Sequence, residues 1–373
     1  MIVVRAALGS RDNIKTAITL TVFSFDDYDF MHRKKINLAL QGGGAYGAFT
    51  WGVLDHLLED RRLEIEGITG ASSGAINAVM LADGLARGGP REARKRLADF
   101  WRAASFNGNL PEGQRRALDR LFAVLPIGDS PSSVWFDALS KCLSPRDINP
   151  LNINPLKDLI IRFVDFEAIR KQPNPLLFIS ATNVHTGRLR IFGHEKISAD
   201  TVLASACLPF LFHAVEIDGV PYWDGGYLGN PAIFPLFAVT ETEDVLLVQI
   251  NPLVRKITPT SIQDIMSRLN EITFNSPLIG ELRAIEFVGR LIDRGLLPRG
   301  IGSGKYRRVN VHRVALEGSA LNTASRLNND FNFFEMLCNN GRRAVREFLD
   351  VHFDDIGARC TVDLASEVRA EWA

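Results

Sequence analysis

Three short segments of the chain carry residue types and spacings that chemistry needs. Gly70-Ala71-Ser72-Ser73-Gly74 is a GxSxG pentapeptide. Where such a segment joins a strand to a helix, the serine sits on a sharp turn. Its small neighbours leave the hydroxyl accessible, and the helix N-terminus favours an alkoxide. The same residues would also serve as a plain helix cap, with Ser72 or Ser73 accepting an amide of the first turn. Ser73 is the weaker nucleophile, because it lacks a glycine two places upstream. Gly42-Gly43-Gly44-Ala45-Tyr46-Gly47 is a loop that can fold tightly and aim its N–H groups at an oxyanion or a phosphate. Read alone, it also fits the GxGxxG dinucleotide fingerprint, with Glu66 near the place of a ribose-binding acid. Asp224-Gly225-Gly226 has the composition of a turn. Tyr222 and Trp223 just before it could keep water off the carboxylate and raise its proton affinity toward that of a general base.

The combination is more specific than any member. A nucleotide-binding domain needs neither an elbow serine nor a shielded aspartate, whereas acyl transfer needs a nucleophile, a base and oxyanion donors together.

The elements around the segments suit that use. Ile36 to Leu40 is an apolar strand running into the glycine loop, and Phe49, Val53, Leu54, Leu57 and Leu58 then recur at helical spacing. Leu63 to Thr69 predicts a second strand, and a helix follows from Ser73. This alternation predicts an α/β fold of three layers, a mainly parallel sheet with helices on both faces, joined by right-handed crossovers. Further along, strands are predicted at 175–184, 189–192, 245–250 and 308–314. Helices are predicted at about 87–120, from Pro155, and at 199–206, 262–296 and 331–349. Residues 1–35 read as an N-terminal extension, 36–240 as the catalytic domain, and 241–373 as a mainly helical region packed on it.

Composition removes other classes. Lys plus Arg equals Asp plus Glu at 43 each, so no global charge points to nucleic acid. Four separated cysteines, Cys142, Cys207, Cys338 and Cys360, form no zinc pattern and suit a reduced, cytoplasmic chain. Seventeen to twenty-five is the most apolar N-terminal stretch; Thr19, Thr21 and Ser24 interrupt it, so neither a signal nor a membrane span is predicted. Membrane contact, if made, is then peripheral. Phe106, Leu110, Leu121, Phe122, Val124, Leu125 and Ile127 suit either a lid or a core-covering loop. Residues 251–313 hold eleven Lys or Arg against five Asp or Glu, which would draw anionic headgroups if clustered on one face.

With GGGAYG, GASSG and DGG in this order, the chain resembles the patatin-like phospholipases over about Ile36 to Phe237, including the run Ala204 to Phe212. The resemblance implies that Ser72 is the nucleophile and Asp224 its proton acceptor in a two-residue dyad. It implies oxyanion donors in the loop of Gly42, Gly43 and Gly44, the last two foremost, and motif roles for Gly47, Gly70, Gly74, Gly225 and Gly226. It also implies a lipid ester substrate, phospholipid or lysophospholipid, and no metal or organic cofactor. A dyad makes no use of the seven histidines, although His56, His185, His194 or His213 would be needed by a triad. Two other readings stay open: a nucleotide-binding domain built on Gly42 to Gly47, and a patatin-like scaffold that binds lipid without turnover.

Overall fold

The computed structural model describes residues 33–105, 107, 152, 154–209, 212–298, 306–317 and 328–368. The residues expected to form an N-terminal extension fall almost wholly outside these, as do the apolar segment from Phe106 to Ile127 and Cys142.

The sheet is built from the predicted apolar runs. β1 (Lys34–Leu40), β2 (Leu63–Gly70), β3 (Leu176–Asn183), β7 (Asp244–Gln249) and β8 (Asn310–Ala315) lie parallel, in the order β3-β2-β1-β7-β8. β7 is buried along its whole length, as a strand covered on both faces must be. β4 (Arg188–Gly193) returns antiparallel along one edge of β3. The hairpin of β5 (Val215–Ile217) and β6 (Val220–Asp224) joins antiparallel to β3 as well. The three-layer, mainly parallel architecture expected from the sequence is the one observed.

Helices cover both faces. On one, α1 (Gly47–Asp60), α2 (Ser73–Ala104), α5 (Ala199–Ser205) and α7 (Phe331–His352) bury Phe49, Val79, Met80, Val202 and Leu337 against Leu38, Leu40, Ile68, Leu177 and Ile179. On the other, α6 (Ile262–Asp293) and α8 (Leu364–Glu367) meet Ala39, Val245, Leu247 and Val311. Leu278, Leu282 and Ile285 of α6 recur at helical spacing, which fixes the face it buries. Two short helices, α3 (Pro155–Phe163) and α4 (Phe166–Lys171), pack on α2. The basic stretch expected to form a helix from Arg87 instead continues α2 to Ala104, past a kink at Gly88 and Gly89 before Pro90.

β7 hydrogen-bonds β1 through Asn37 to Leu40, and α7 packs along α1, so the C-terminal third supplies two strands of the sheet and part of its cover.

Candidate active site

Ser72 stands where β2 ends and α2 begins, with φ 52° and ψ −123°, a left-handed conformation that costs energy for any residue with a Cβ. Its amide donates to Ser205 Oγ at 2.9 Å, which anchors the turn to the end of α5. Its hydroxyl caps no amide of α2, and Ser73 Oγ accepts the Gly43 N–H at 3.1 Å instead. The plain-cap reading of this serine therefore fails, and the hydroxyl stays available at the helix N-terminus. Glycine is required on the turn by close approach: a Cβ on Gly74 would lie 2.2 Å from Leu40 O, and one on Gly42 2.7 Å from Ser72 Cβ. Gly47 and Gly70 occupy the same seam, against Ser73 and the Gly74–Ala75 backbone.

Strand register brings the aspartate to the serine. β2 runs along one edge of β3 only as far as Gly70 beside Ile179, while β4 fills the opposite edge. β6 takes over the edge that β2 leaves, with Asp224 beside Ala181, two residues beyond Ile179. The end of β6 therefore abuts the Gly70-Ala71-Ser72 turn. Asp224 is fully buried; Oδ1 accepts the Gly226 N–H at 2.7 Å, and Oδ2 has no hydrogen-bond partner among the described residues. Burial pushes its pKa up to about 7, against smaller lowering by the Gly226 amide and the Ser72 hydroxyl. Serine and carboxylate thus face each other without a completed hydrogen bond, a common arrangement before substrate binds.

The shield is only in part the one expected. Strand alternation turns Trp223 away from Asp224, into a cavity of about 770 Å³ shared with Phe212 and Val215. Tyr222 is buried against Phe192. Asp224 is enclosed instead by the turn after it and by α6: Phe274 stacks edge-on to Tyr227 at 5.1 Å and presses on Gly226. The Asp224 N–H is held by Cys207 O at 2.8 Å, and burial together with the nearby carboxylate pushes the Tyr227 pKa up to about 12.

The glycine loop is held by an amide cage that the motifs gave no sign of. Asn230 Oδ1 accepts the Gly42 N–H at 2.6 Å, and Asn251 Nδ2 donates to Gly42 O at 2.7 Å. Gln41 Oε1 accepts the amides of Ile250 and Asn251, and its Nε2 donates to Asn275 Oδ1. These four side chains come from sequence positions far apart, and only their polarity amid buried neighbours marks them. Within the loop, the Gly42 N–H is committed to Asn230 and the Gly43 N–H rests on Ser73 Oγ. Gly44, exposed and with φ 62°, opens a 3-10 turn (Gly44–Tyr46) whose first amide has no partner inside the turn.

No described histidine bonds Ser72 or Asp224. His56 lies 3.5 Å from Glu59, His194 accepts the Leu177 amide, His312 pairs with Asp244 and His352 with Asp355. His185 lies exposed in the β3–β4 turn, and the His213 carbonyl accepts the Cys207 thiol. Glu66 lies midway along β2, four residues before its end at Gly70, and its Oε2 is already taken by the amides of Glu241 and Thr242. A ribose held at the loop could not reach it. Of the described basic residues of 251–313, Arg255 and Arg268 pair with Glu271, Arg290 with Glu286, Arg308 with Asp293 and Arg313 with Glu367, so much of their charge is neutralised within the fold. Among the described residues, no three His, Cys, Asp or Glu side chains stand together to hold a metal ion, and no helix is long and apolar enough to cross a membrane.

A comparison with curated proteins finds no match. Among solved structures the chain is similar to VipD from Legionella pneumophila, at 15% identity and TM-score 0.34, over 83% of this chain and 67% of that one. It is similar also to the ExoU–SpcU complex of Pseudomonas aeruginosa, at 15% identity and TM-score 0.27, over 90% and 65%. A further structure of the type III effector ExoU aligns at 15% identity and TM-score 0.32, over 86% and 53%, so this chain spans between half and two thirds of those proteins. The family profile of the patatin-like phospholipases matches residues 38–237. That stretch opens inside β1 and closes beyond β6, spanning the strands from which Ser72 and Asp224 hang, and the chain belongs to the patatin-like phospholipase family, lipid acyl hydrolases by class.

Proposed function

We propose that this chain cleaves carboxylic esters of phospholipid or lysophospholipid through a Ser72–Asp224 dyad, without a histidine. The observation that carries this reading is the buried, unpaired Oδ2 of Asp224 facing the hydroxyl of a serine held on a left-handed turn. A carboxylate with a pKa near 7 is half ionised at neutral pH, so it can both take and return a proton.

In the acylation half, ionised Asp224 takes the Ser72 proton as Oγ bonds to the acyl carbon. The carbonyl electron pair moves to oxygen, where the Gly44 N–H receives it, joined by the Gly43 N–H once the Ser73 hydroxyl yields that amide. Gly42, whose amide is committed to Asn230, serves to position the loop. The C–O bond to the lysolipid or alcohol then breaks, and the leaving oxygen takes the proton from Asp224. Water attacks the acyl-enzyme with Asp224 again as base, the fatty acid leaves, and Ser72 regains its proton.

Fluorophosphonate labelling with peptide mapping tests the assignment directly. Wild type is expected to label at Ser72 and to cleave short-chain esters, while Ser72→Ala and Asp224→Asn do not. Labelling at another residue, or full turnover by Asp224→Asn, would refute it. Saturable dinucleotide binding indifferent to Ser72→Ala would favour the nucleotide reading, which the position of Glu66 opposes. Lipid binding without any turnover would favour a non-catalytic scaffold.

A further inference from the structure

We infer that residues Val254–Ile272 form the surface by which the protein seats itself on zwitterionic phospholipid, beside the catalytic centre; this rests on the acyl hydrolase reading above. Apolar side chains in the described residues are mostly inward, yet Val254, Ile257, Ile262, Ile265, Met266, Leu269 and Ile272 are all exposed, between 41% and 82%. In α6, residues 262, 265, 266, 269 and 272 recur at helical spacing and so make one continuous stripe. One turn later the helix reverses its preference, burying Phe274, Leu278 and Leu282. A stripe of this kind, left exposed among the described residues, marks a contact surface.

The stretch is held in place and is not a frayed end. Glu271, 1% exposed at its side chain, pairs with Arg255 at 2.6 Å and Arg268 at 3.2 Å, and Arg268 also donates to Leu253 O. The segment before the helix is thereby strapped to its first turns. Both ends of the stretch are rooted in the active site. Asn251, three residues before Val254, holds the Gly42 carbonyl; Phe274 and Asn275, just after Ile272, press on Gly226 and bond Gln41. Whatever covers the stripe therefore lies next to the serine that would take a lipid ester.

Charge selects the kind of lipid. The stretch holds Arg255, Lys256 and Arg268 against Asp264 and Glu271, three against two, and both arginines are spent on Glu271. Attraction to an anionic surface is correspondingly small, and insertion of the apolar stripe supplies the binding.

The test uses the Ser72→Ala chain, so that vesicles are not consumed, and phosphatidylcholine vesicles in a flotation assay. Binding is expected without anionic lipid and to change less than about twofold when salt is raised from roughly 0.1 to 0.5 M. Adding Ile265→Asp with Leu269→Asp is expected to lower partition by ~10-fold or more, since two charges enter the stripe. In the otherwise wild-type chain, the same pair is expected to leave hydrolysis of a dissolved short-chain ester within about twofold and to depress hydrolysis of vesicle phosphatidylcholine by ~10-fold. Undiminished flotation of the double variant overturns the inference, as does binding that requires anionic lipid. A wild-type dimer that the pair dissolves, with no flotation of wild type, would assign the stripe to a second copy of the chain. Absence of any ester hydrolysis by wild type would sink the catalytic reading while leaving the flotation result to stand alone.

Discussion

Two buried aspartates sit at opposite ends of the sheet and are treated in opposite ways. Asp244 opens β7 at the N-terminal ends of the parallel strands, and its Oδ1 accepts from His312 Nε2 at 2.9 Å, the Gly357 amide at 2.8 Å and Asn310 Nδ2 at 3.3 Å. Burial pushes its pKa up, but these donors outweigh burial and hold it below the ordinary carboxylate range. Asp224, near the C-terminal ends of β2 and β3, has one amide on Oδ1 and an unpaired Oδ2, and burial prevails. One carboxylate is saturated and structural. The other is left wanting a proton, a state that a fold retains where chemistry uses it.

The sharpest way to break this contrast is at the serine. Ser72→Ala is expected to lower kcat/KM for a short-chain ester by at least ~10³-fold with the melting temperature little changed, because the hydroxyl makes no completed hydrogen bond. Asp224→Asn is expected to cost ~10³-fold or more as well, and to stabilise the protein, since the amide keeps the Gly226 contact and needs no burial of charge. The sign follows from the raised pKa: between the ordinary carboxylate range and pH 7 the folded state binds more protons than the unfolded state, so wild-type stability falls as pH rises. At pH 8 the variant should be more stable by roughly 3–4 kcal/mol, and at pH 4 by under about 1 kcal/mol. In wild type, kcat/KM should climb with pH to a plateau above an apparent pKa of about 7.

Asp244 should behave in the reverse sense. Asp244→Ala strands His312, Asn310 and the Gly357 amide in a buried pocket and is expected to destabilise by about 2–4 kcal/mol, measured by urea unfolding. Fluorophosphonate labelling of Ser72 in the folded fraction should survive. Because its folded pKa is depressed, the stability it contributes is present above the ordinary carboxylate range and is lost as pH falls through the folded value. Parallel pH dependence of the Asp244→Ala and Asp224→Asn effects would remove the distinction.

The strands and the elbow were legible because their determinants are local. Apolar runs such as Val245 to Ile250 mark covered strands, and Gly70 to Gly74 marks the turn within five residues. The enclosure of Asp224 was not legible. Trp223 is adjacent in sequence, yet strand alternation turns it away, while Phe274 comes from fifty residues downstream. The β5–β6 hairpin leaves no periodic signal in the sequence: its strands are only three and five residues long, too short for a period to show. Charge counting over 251–313 does not distinguish a clustered basic face from a solvated one, because pairing with acids inside and outside that window is a tertiary fact.

The smallest effect expected tests whether the readiness of Asp224 depends on the loop opposite it. Asn230 is fully buried, accepts the Gly42 amide, and donates to Phe274 O at 3.2 Å, so one side chain ties the glycine loop to the helix that encloses the aspartate. Asn230→Ala leaves the Gly42 N–H without its acceptor, which costs about 1–3 kcal/mol of stability. If the tie is only structural, kcat per folded molecule stays at the wild-type value. If it also aims the Gly43 and Gly44 amides, kcat falls by about 10-fold while KM moves little, because oxyanion contacts strengthen in the transition state and not in the ground state. Asn230→Asp discriminates further. Its carboxylate can still accept the Gly42 N–H, but it cannot donate to Phe274 O. A kcat per folded molecule as low as that of Asn230→Ala would then assign the aiming to the Phe274 tie, and a wild-type kcat would assign it to the Gly42 contact alone.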